Sequence, residues 1–199
     1  MFAVPGAAGN RRQGADRDEF SDEFQVRRAS ESVPGSAQKE ARMADETVSA
    51  TTIVNAPAEA IFAVLADPAR HAAIDGTGWV REPVDRLPLT AAGQVFRMGM
   101  YHASQPGGNY QMANRVQVFD PPHAISWEPG RDASDGDLRF GGWVWRYDLV
   151  PAGRPGTKVT LSNDWSAVPG VLRQRIGFPP FPPDHLANSL AHLADLTTA

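Results

Sequence analysis

The chain of 199 residues contains no cysteine. Without thiols it can form no disulfide, carry no thiolate nucleophile and build no thiolate metal site. Enzyme classes that depend on a reactive cysteine are therefore excluded, and so is a small fold held together by disulfides. At this length we expect instead one domain with one sizeable hydrophobic core.

Long hydrophobic segments are also absent. No apolar run approaches the roughly eighteen residues that a membrane-spanning helix needs, and the N-terminus lacks the apolar segment of a secretory signal peptide. Arg11 and Arg12 could begin a twin-arginine signal, but the polar residues 16–19 follow where an apolar segment is required. We therefore expect a cytoplasmic protein with no stable membrane insertion.

The chain has no excess of positive charge, because its formal net charge is -4. Nucleic-acid-binding surfaces are usually basic. We therefore expect no nucleic-acid partner. The sequence gives no indication of the oligomeric state.

Residues 1–42 have no Leu, Ile, Trp or Tyr, and their acidic and basic residues balance. Such a segment cannot bury enough apolar surface to offset the entropy of ordering it. We predict a disordered extension over 1–42 and a folded domain over 43–199. A short amphipathic helix around Phe20 and Phe24 is the alternative, and Met43 is an alternative start of the protein.

Motifs of several enzyme classes are missing, including a G-x-S-x-G nucleophile elbow, H-E-x-x-H, a P-loop and a G-x-G-x-x-G turn. His71 and Asp75 are four residues apart in a short predicted helix, a spacing that suits two metal ligands or an acid–base pair. The sequence places no third ligand beside them. We therefore interpret His71 as a partly exposed helix residue and Asp75 as a loop residue, and we expect no metal and no cofactor.

Other polar residues leave the interpretation open. His185 and His192 are seven apart on the predicted polar side of the last helix, where a solvated face explains them. Arg115, Glu128 and Asp164 lie in predicted strands, and the sequence does not show which face they occupy. Any of them that points inward is a candidate for a perturbed pKa.

The patterned part of the chain begins with a strand, "TVSATTIVN", followed by the helical pattern "APAEAIFAVLADP". Pro68 ends this helix, and Asp67 can cap a second short helix, "PARHAAI". Predicted strands then follow near 79–86, 94–103, 109–119, 123–128, 140–150 and 157–166, separated by Pro and Gly turns. "PPDHLANSLAHLADL" closes the chain as an amphipathic helix whose apolar stripe is formed by Leu186, Leu190, Leu193 and Leu196.

The strand "WVWRYDL" places large apolar side chains at every second position. Alternate side chains of a strand point to opposite faces, so Trp143, Trp145, Tyr147 and Leu149 share one face. On the next strand, "VTLSNDW" puts Asn163 and Trp165 on a common face with Val159 and Leu161. Such an apolar stripe is stable against a packed core or an apolar ligand, whereas its exposure to water is unfavourable.

Four segments in this order resemble the START-like helix-grip superfamily (SRPBCC proteins), in its bacterial polyketide cyclase/dehydratase-like branch. They are "IVNAPAEAIFAVLADPARH", "FDPPHAISW", "WRYDLVPAGRPGTKVTL" and "FPPDHLANSLAHL". The resemblance implies an α+β fold in which a bent seven-stranded antiparallel sheet wraps around the C-terminal helix, with two short helices after the first strand. One helix does not fill the concave face, and the remaining space is the ligand cavity.

The resemblance implies two functional classes, namely binding or transport of a hydrophobic small molecule such as a lipid or polyketide, and polyketide cyclisation or dehydration by polar cavity residues. No catalytic residue set of the family matches this sequence, so binding is the preferred interpretation. A protein-interaction module is the third possibility. The predicted ligand-binding residues are Trp143, Trp145, Tyr147, Trp165, Asn163, Met98, Met100, Met112 and Trp127, with Asn163 orienting the ligand; Trp79 belongs either to this wall or to the core.

Overall fold

The structure is a computed structural model, and it describes residues 46–133 and 135–198. The predicted extension over 1–42 and the predicted domain start at 43 lie outside the described residues. The strands are β1 (Thr47–Val54), β2 (Val80–Pro83), β3 (Val95–Tyr101), β4 (Asn109–Asp120), β5 (Ala124–Asp132), β6 (Leu138–Phe140), β7 (Val144–Pro151) and β8 (Thr157–Asp164). The helices are α1 (Ala58–Leu65), α2 (His71–Ile74), α3 (Gly170–Ile176) and α4 (His185–Thr198), and a single 3₁₀ turn, Pro68–Arg70, precedes α2.

All the strands of the described region pair antiparallel, in the order β1-β8-β7-β5-β4-β3-β2, and β6 adds to β5. β1 and β2 are neighbours in sequence but occupy opposite edges of the sheet, so α1 and α2 cross from one edge to the other. The α+β architecture is confirmed. The sheet has eight strands and not the predicted seven, because β5 extends to Asp132 and a further short strand, β6, returns along it.

The local signals at α1 and the turn after it act as predicted. α1 starts directly after Pro57, an extended residue that has no N–H to leave unsatisfied. At the other end, Asp67 caps the 3₁₀ turn, since its Oδ1 accepts a hydrogen bond of 3.0 Å from the backbone N–H of Ala69.

Helix α4 packs against β1, β8, α1 and α2. Its predicted apolar stripe faces the core, with Leu186, Leu190 and Leu193 buried and Leu196 partly buried. Fourteen residues make a helix of about 21 Å. Because α4 packs on β1 and β8, it does not itself cover most of the inner face of the middle strands β3, β4, β5 and β7.

Two hydrophobic clusters fill the interior. The larger lies between the sheet and α1, α2 and α4. The smaller is formed by Met112, Trp143, Trp165 and Val168. Helix α3, which the sequence pattern did not predict, follows directly after Val168 and contributes the buried Ile176.

Candidate functional site

A cavity of about 160 Å³ lies between the middle strands and the layer formed by α2, α4 and the segments that precede α4. Strand alternation builds its sheet wall, because every second residue of each strand points inward. The residues concerned are Phe96, Met98 and Met100 on β3, Tyr110, Met112 and Asn114 on β4, Trp127 and Pro129 on β5, Trp145 and Tyr147 on β7, and Leu161 on β8.

Seven of the nine predicted ligand-binding residues line this cavity: Trp143, Trp145, Tyr147, Met98, Met100, Met112 and Trp127. Trp79, which the sequence left undecided, also lines it. Contact of these residues with a ligand stays a prediction. The apolar stripe of the strand "WVWRYDL" thus has two roles. Its three aromatic residues line the cavity, whereas Leu149, on the same face, is buried in the larger core cluster.

Asn163 and Trp165 are not among the described residues that line the cavity, and a ligand-orienting role of Asn163 stays a prediction. The Trp165 ring packs against Phe178, with ring centres 6.0 Å apart, in the smaller cluster. Asn163 is buried two residues after the lining residue Leu161 on β8, and its Nδ2 donates a weak hydrogen bond of 3.4 Å to the carbonyl of Val144. Both residues share the inward face, but they lie at the end of the sheet that the smaller cluster closes.

The sequence did not show which face of the sheet Arg115, Glu128 and Asp164 occupy. None of the three is among the residues that line the cavity. Arg115 pairs with Glu128 at 2.8 Å on the side opposite Asn114 and Trp127, and Asp164 Oδ1 accepts a hydrogen bond from the backbone N–H of Ser166. They therefore form surface interactions.

Polar groups gather where the loop after α2 meets the start of α4. The Asp75 side chain is only 5% exposed. Its Oδ2 accepts hydrogen bonds from the backbone N–H groups of Trp79 and Val80 at 2.7 and 3.0 Å, and the Thr77 hydroxyl lies within 2.9 Å of both carboxylate oxygens. The loop sequence thus wraps its backbone donors around one carboxylate and holds it at the cavity wall.

His185 faces this carboxylate from the first turn of α4. Its Nδ1 lies 3.9 Å from Asp75 Oδ1, beyond hydrogen-bond distance, and has no hydrogen-bond partner within the described part of the chain. The ring meets Trp145 edge to face, with ring centres 5.3 Å apart. Burial lowers the pKa of His185 below its ordinary value, and the nearby carboxylates of Asp75 and Asp184 oppose this shift. The prediction of a solvated His185 is wrong, whereas His192 is exposed as expected.

His71 is also buried, contrary to the prediction of a partly exposed helix residue. Its Nε2 lies 2.9 Å from the carbonyl oxygen of Leu65. The ring stacks on Trp127 with centres 5.1 Å apart. Burial lowers the pKa of His71, so at neutral pH the ring is an uncharged part of the cavity wall.

The Tyr147 hydroxyl is the remaining titratable group on the sheet wall beside Asp75. Burial raises the pKa of Tyr147, and the Asp75 charge raises it further. The phenol therefore keeps its proton and can donate a hydrogen bond.

Neither a group of three side chains able to hold a metal ion nor a helix long and apolar enough to cross a membrane occurs in residues 46–133 and 135–198.

The solved structures that resemble this fold share little sequence with it. A Mycobacterium smegmatis protein, Ms6760, is 20% identical with a TM-score of 0.54, covering 76% of this chain and 90% of that one. Protein CV1439 of Chromobacterium violaceum is 17% identical with a TM-score of 0.55, covering 77% and 98%. A norcoclaurine synthase point mutant from Thalictrum, in complex with a transition-state analogue, is 14% identical with a TM-score of 0.52, covering 76% and 93%. These similarities confirm the helix-grip fold.

Sequence comparison is more specific. The uncharacterized protein Rv0088 of Mycobacterium tuberculosis is 28% identical over 131 residues, which are 66% of this chain and 52% of the relative. The chain thus spans about half the length of the curated relative. A family model described as polyketide cyclase / dehydrase and lipid transport matches residues 45–194. The match runs from the start of β1 into α4 and includes the whole cavity wall, so the chain belongs to this polyketide cyclase / dehydrase and lipid transport family.

Proposed function

We propose that this protein binds a small, largely apolar molecule in the cavity between the sheet and α4. The observation that carries the proposal is the composition of the wall, in which aromatic and aliphatic side chains surround one small polar group centred on Asp75 and His185. Ligand sites are typically apolar concavities in which a few polar groups fix the orientation.

The volume limits the size of the ligand. Drug-sized ligands occupy pockets of roughly 300 to 1,000 Å³, and this cavity measures about 160 Å³. An apolar cavity of about 150 Å³ holds one benzene ring. The first ligands to test are therefore single-ring compounds, before the larger fatty acids, sterols and aromatic polyketides.

A cavity-filling substitution tests this proposal. Met98 is buried on the wall, and Met98→Trp places additional ring atoms in the cavity. Calorimetric titration with ethylbenzene is expected to show binding to the wild type and at least tenfold weaker binding to Met98→Trp. Met98→Leu is the matched control, because a substitution of similar volume leaves the space unchanged. Equal affinity of all three proteins, or no binding to the wild type, contradicts the proposal.

A second function, acid–base catalysis, is favoured by the arrangement of Asp75, His185 and Tyr147. An uncharged His185 can accept a proton from a carbon next to a carbonyl, while the Tyr147 hydroxyl donates a hydrogen bond to the carbonyl oxygen on which negative charge develops. This is the chemistry that cyclisation or dehydration of a poly-β-keto chain requires. Apo structures often hold catalytic pairs beyond hydrogen-bond distance, so the 3.9 Å separation of Asp75 and His185 is compatible with it.

Turnover of a poly-β-keto thioester distinguishes an enzyme from a carrier. If the protein is an enzyme, His185→Gln is expected to lower the rate by about 10² or more, the usual contribution of general acid–base catalysis. His123→Gln, at an exposed turn between β4 and β5 and outside the cavity, is expected to keep the wild-type rate. A carrier binds the compound and returns it unchanged.

A further inference from the structure

The charge of the cavity wall is of one sign. Among the described residues that line the cavity, Asp75 is the only Asp, Glu, Lys or Arg. The two lining histidines are both buried with lowered pKa values, so they add no positive charge at neutral pH. A ligand with a carboxylate at its polar end therefore meets an anion and no counter-ion.

Two acceptor atoms at the polar end face each other across a gap that no hydrogen bond closes. Asp75 Oδ2 already accepts two backbone hydrogen bonds, whereas Oδ1 accepts only from Thr77 and lies 3.9 Å from His185 Nδ1. His185 is 8% exposed and its Nδ1 has no hydrogen-bond partner in the described residues. A nitrogen can donate a hydrogen bond to both atoms only if the His185 ring turns to admit it, because Nδ1 is buried with the ring in its present position.

Aromatic rings contact the His185 ring beside this gap. Trp145 meets the His185 ring edge to face, Phe181 lies 5.0 Å from the same ring, and the pKa of Tyr147 responds to the Asp75 charge. The faces of such rings attract cations, and the attraction increases when the site is desolvated. A carboxylate in an aromatic-lined cavity is suited to an organic ammonium group.

We propose that the polar end of the ligand is a cationic amine, held between Asp75 and His185 and against the neighbouring aromatic rings. This inference rests on the proposed binding function and specifies its ligand class. An arylalkyl amine combines the ring that the cavity volume accommodates with the ammonium group that the polar end selects. Fatty acids and other carboxylates are excluded by the same arrangement.

Four probes of similar size test the proposal on the wild-type protein: phenethylamine, phenethyl alcohol, phenylacetate and ethylbenzene. In calorimetric titrations at neutral pH, phenethylamine is expected to bind at least tenfold more tightly than phenethyl alcohol, and phenylacetate more weakly than ethylbenzene. Asp75→Asn is expected to remove the preference for the amine. Asp195→Asn is the matched control, because it removes one negative charge from an exposed position of α4 outside the cavity.

The outcomes separate this proposal from the binding function. If ethylbenzene binds but the alcohol or phenylacetate binds as tightly as the amine, the amine proposal is wrong and apolar binding stands. If no probe binds, both fail. Three backbone N–H groups donate to the Asp75 oxygens, so Asp75→Asn can fail to fold. In that case the ranking of the four probes on the wild type and the His185→Leu variant test the proposal. His185→Leu is expected to weaken amine binding more than ethylbenzene binding.

Discussion

His71 shows how a histidine can act as a residue of the hydrophobic core. It lies 6% exposed between Trp127, on which it stacks, and Phe96, which it meets edge to face with ring centres 5.5 Å apart. One ring nitrogen reaches the Leu65 carbonyl, so the polar atom is satisfied while the ring contributes aromatic surface. A protonated ring has no carboxylate partner in this position close enough to offset its desolvation, which is why burial lowers the pKa of His71.

This lowered pKa predicts that the protein loses stability in mild acid. As the pH falls below 6.5, the ordinary value, the unfolded chain takes up a proton that the folded chain excludes. The free energy of unfolding should therefore decrease by up to about 1.4 kcal/mol per pH unit for each such histidine. Urea unfolding at pH 7 and pH 5 measures this, and His71→Gln should flatten the dependence.

The exposed His192 provides the control for that measurement. His192→Gln, which removes an exposed imidazole from α4, is the substitution against which the effect of His71→Gln is compared. A wild-type free energy of unfolding that is the same at both pH values contradicts the role given to burial. His185 has a pKa shift in the same direction and should contribute to the same loss.

Single residues also show where sequence reasoning about the site ends. Strand alternation predicts the facing of Trp145 and Tyr147, because the period of two is a property of the backbone. It does not predict that Asn163 lies beyond the cavity, since this depends on where the smaller cluster closes the sheet. His185 was misplaced, and the burial of the loop residue Asp75 was not predicted, because both depend on contact between segments distant in sequence, which no local pattern records.

Among the elements, the loop after α2 and helix α4 approach each other closely at Gly76. A Cβ at Gly76 would lie 2.8 Å from the backbone nitrogen of Ser189 and would also clash with the carbonyl of His185. The Gly76 N–H donates a hydrogen bond of 2.9 Å to the Ser189 hydroxyl. Glycine is needed here for space, and the contact fixes the distance between Asp75 and His185.

We therefore predict that Gly76→Ala lowers the free energy of unfolding by about 1–3 kcal/mol, as overpacking of a tight contact usually does. It should also weaken ligand binding, because α4 must move away from Asp75. Chemical denaturation and calorimetric titration measure the two effects. Gly170→Ala is the control, since a Cβ there meets nothing within 4 Å, and it should leave both properties nearly unchanged.

The elements that sequence reasoning missed are short. β6 has three residues and pairs only with the extension of β5, so it has too few positions to show alternation. α3 has seven residues, of which only Ile176 is buried, while Val171 is 70% exposed. Without an apolar stripe, a helix of this length leaves no periodic signal. The longer elements, α1, α4 and the main strands, carry such signals and were predicted.

At the scale of the whole molecule, the cavity follows from the position of α4. The helix covers the sheet at the β1 and β8 edge, and the middle strands project large side chains into the space beyond it. An open sheet with one long helix leaves this space whatever the ligand is. The family explains the architecture, whereas the lining residues determine what enters.

We predict that the folded domain does not need residues 1–42. Their composition lacks the apolar side chains that a core requires. A shortened protein beginning at Met43 should unfold cooperatively at nearly the full-length Tm in differential scanning calorimetry. A decrease of more than about 4 °C, which at this size corresponds to roughly 1 kcal/mol or more, would show that the extension packs on the domain.

The contact between Gly76 and Ser189 joins positions 113 residues apart. The two halves of the polar site come from these distant segments. A nascent chain that has not yet produced α4 therefore lacks His185 and has no complete binding site. Because a domain generally folds as a unit, ligand capture should come late, only once residues 185–198 have docked. A ligand that contacts both segments binds only the state in which α4 is docked, and it therefore stabilises that state. At a ligand concentration one hundred times its Kd, the stabilisation is about 2.7 kcal/mol.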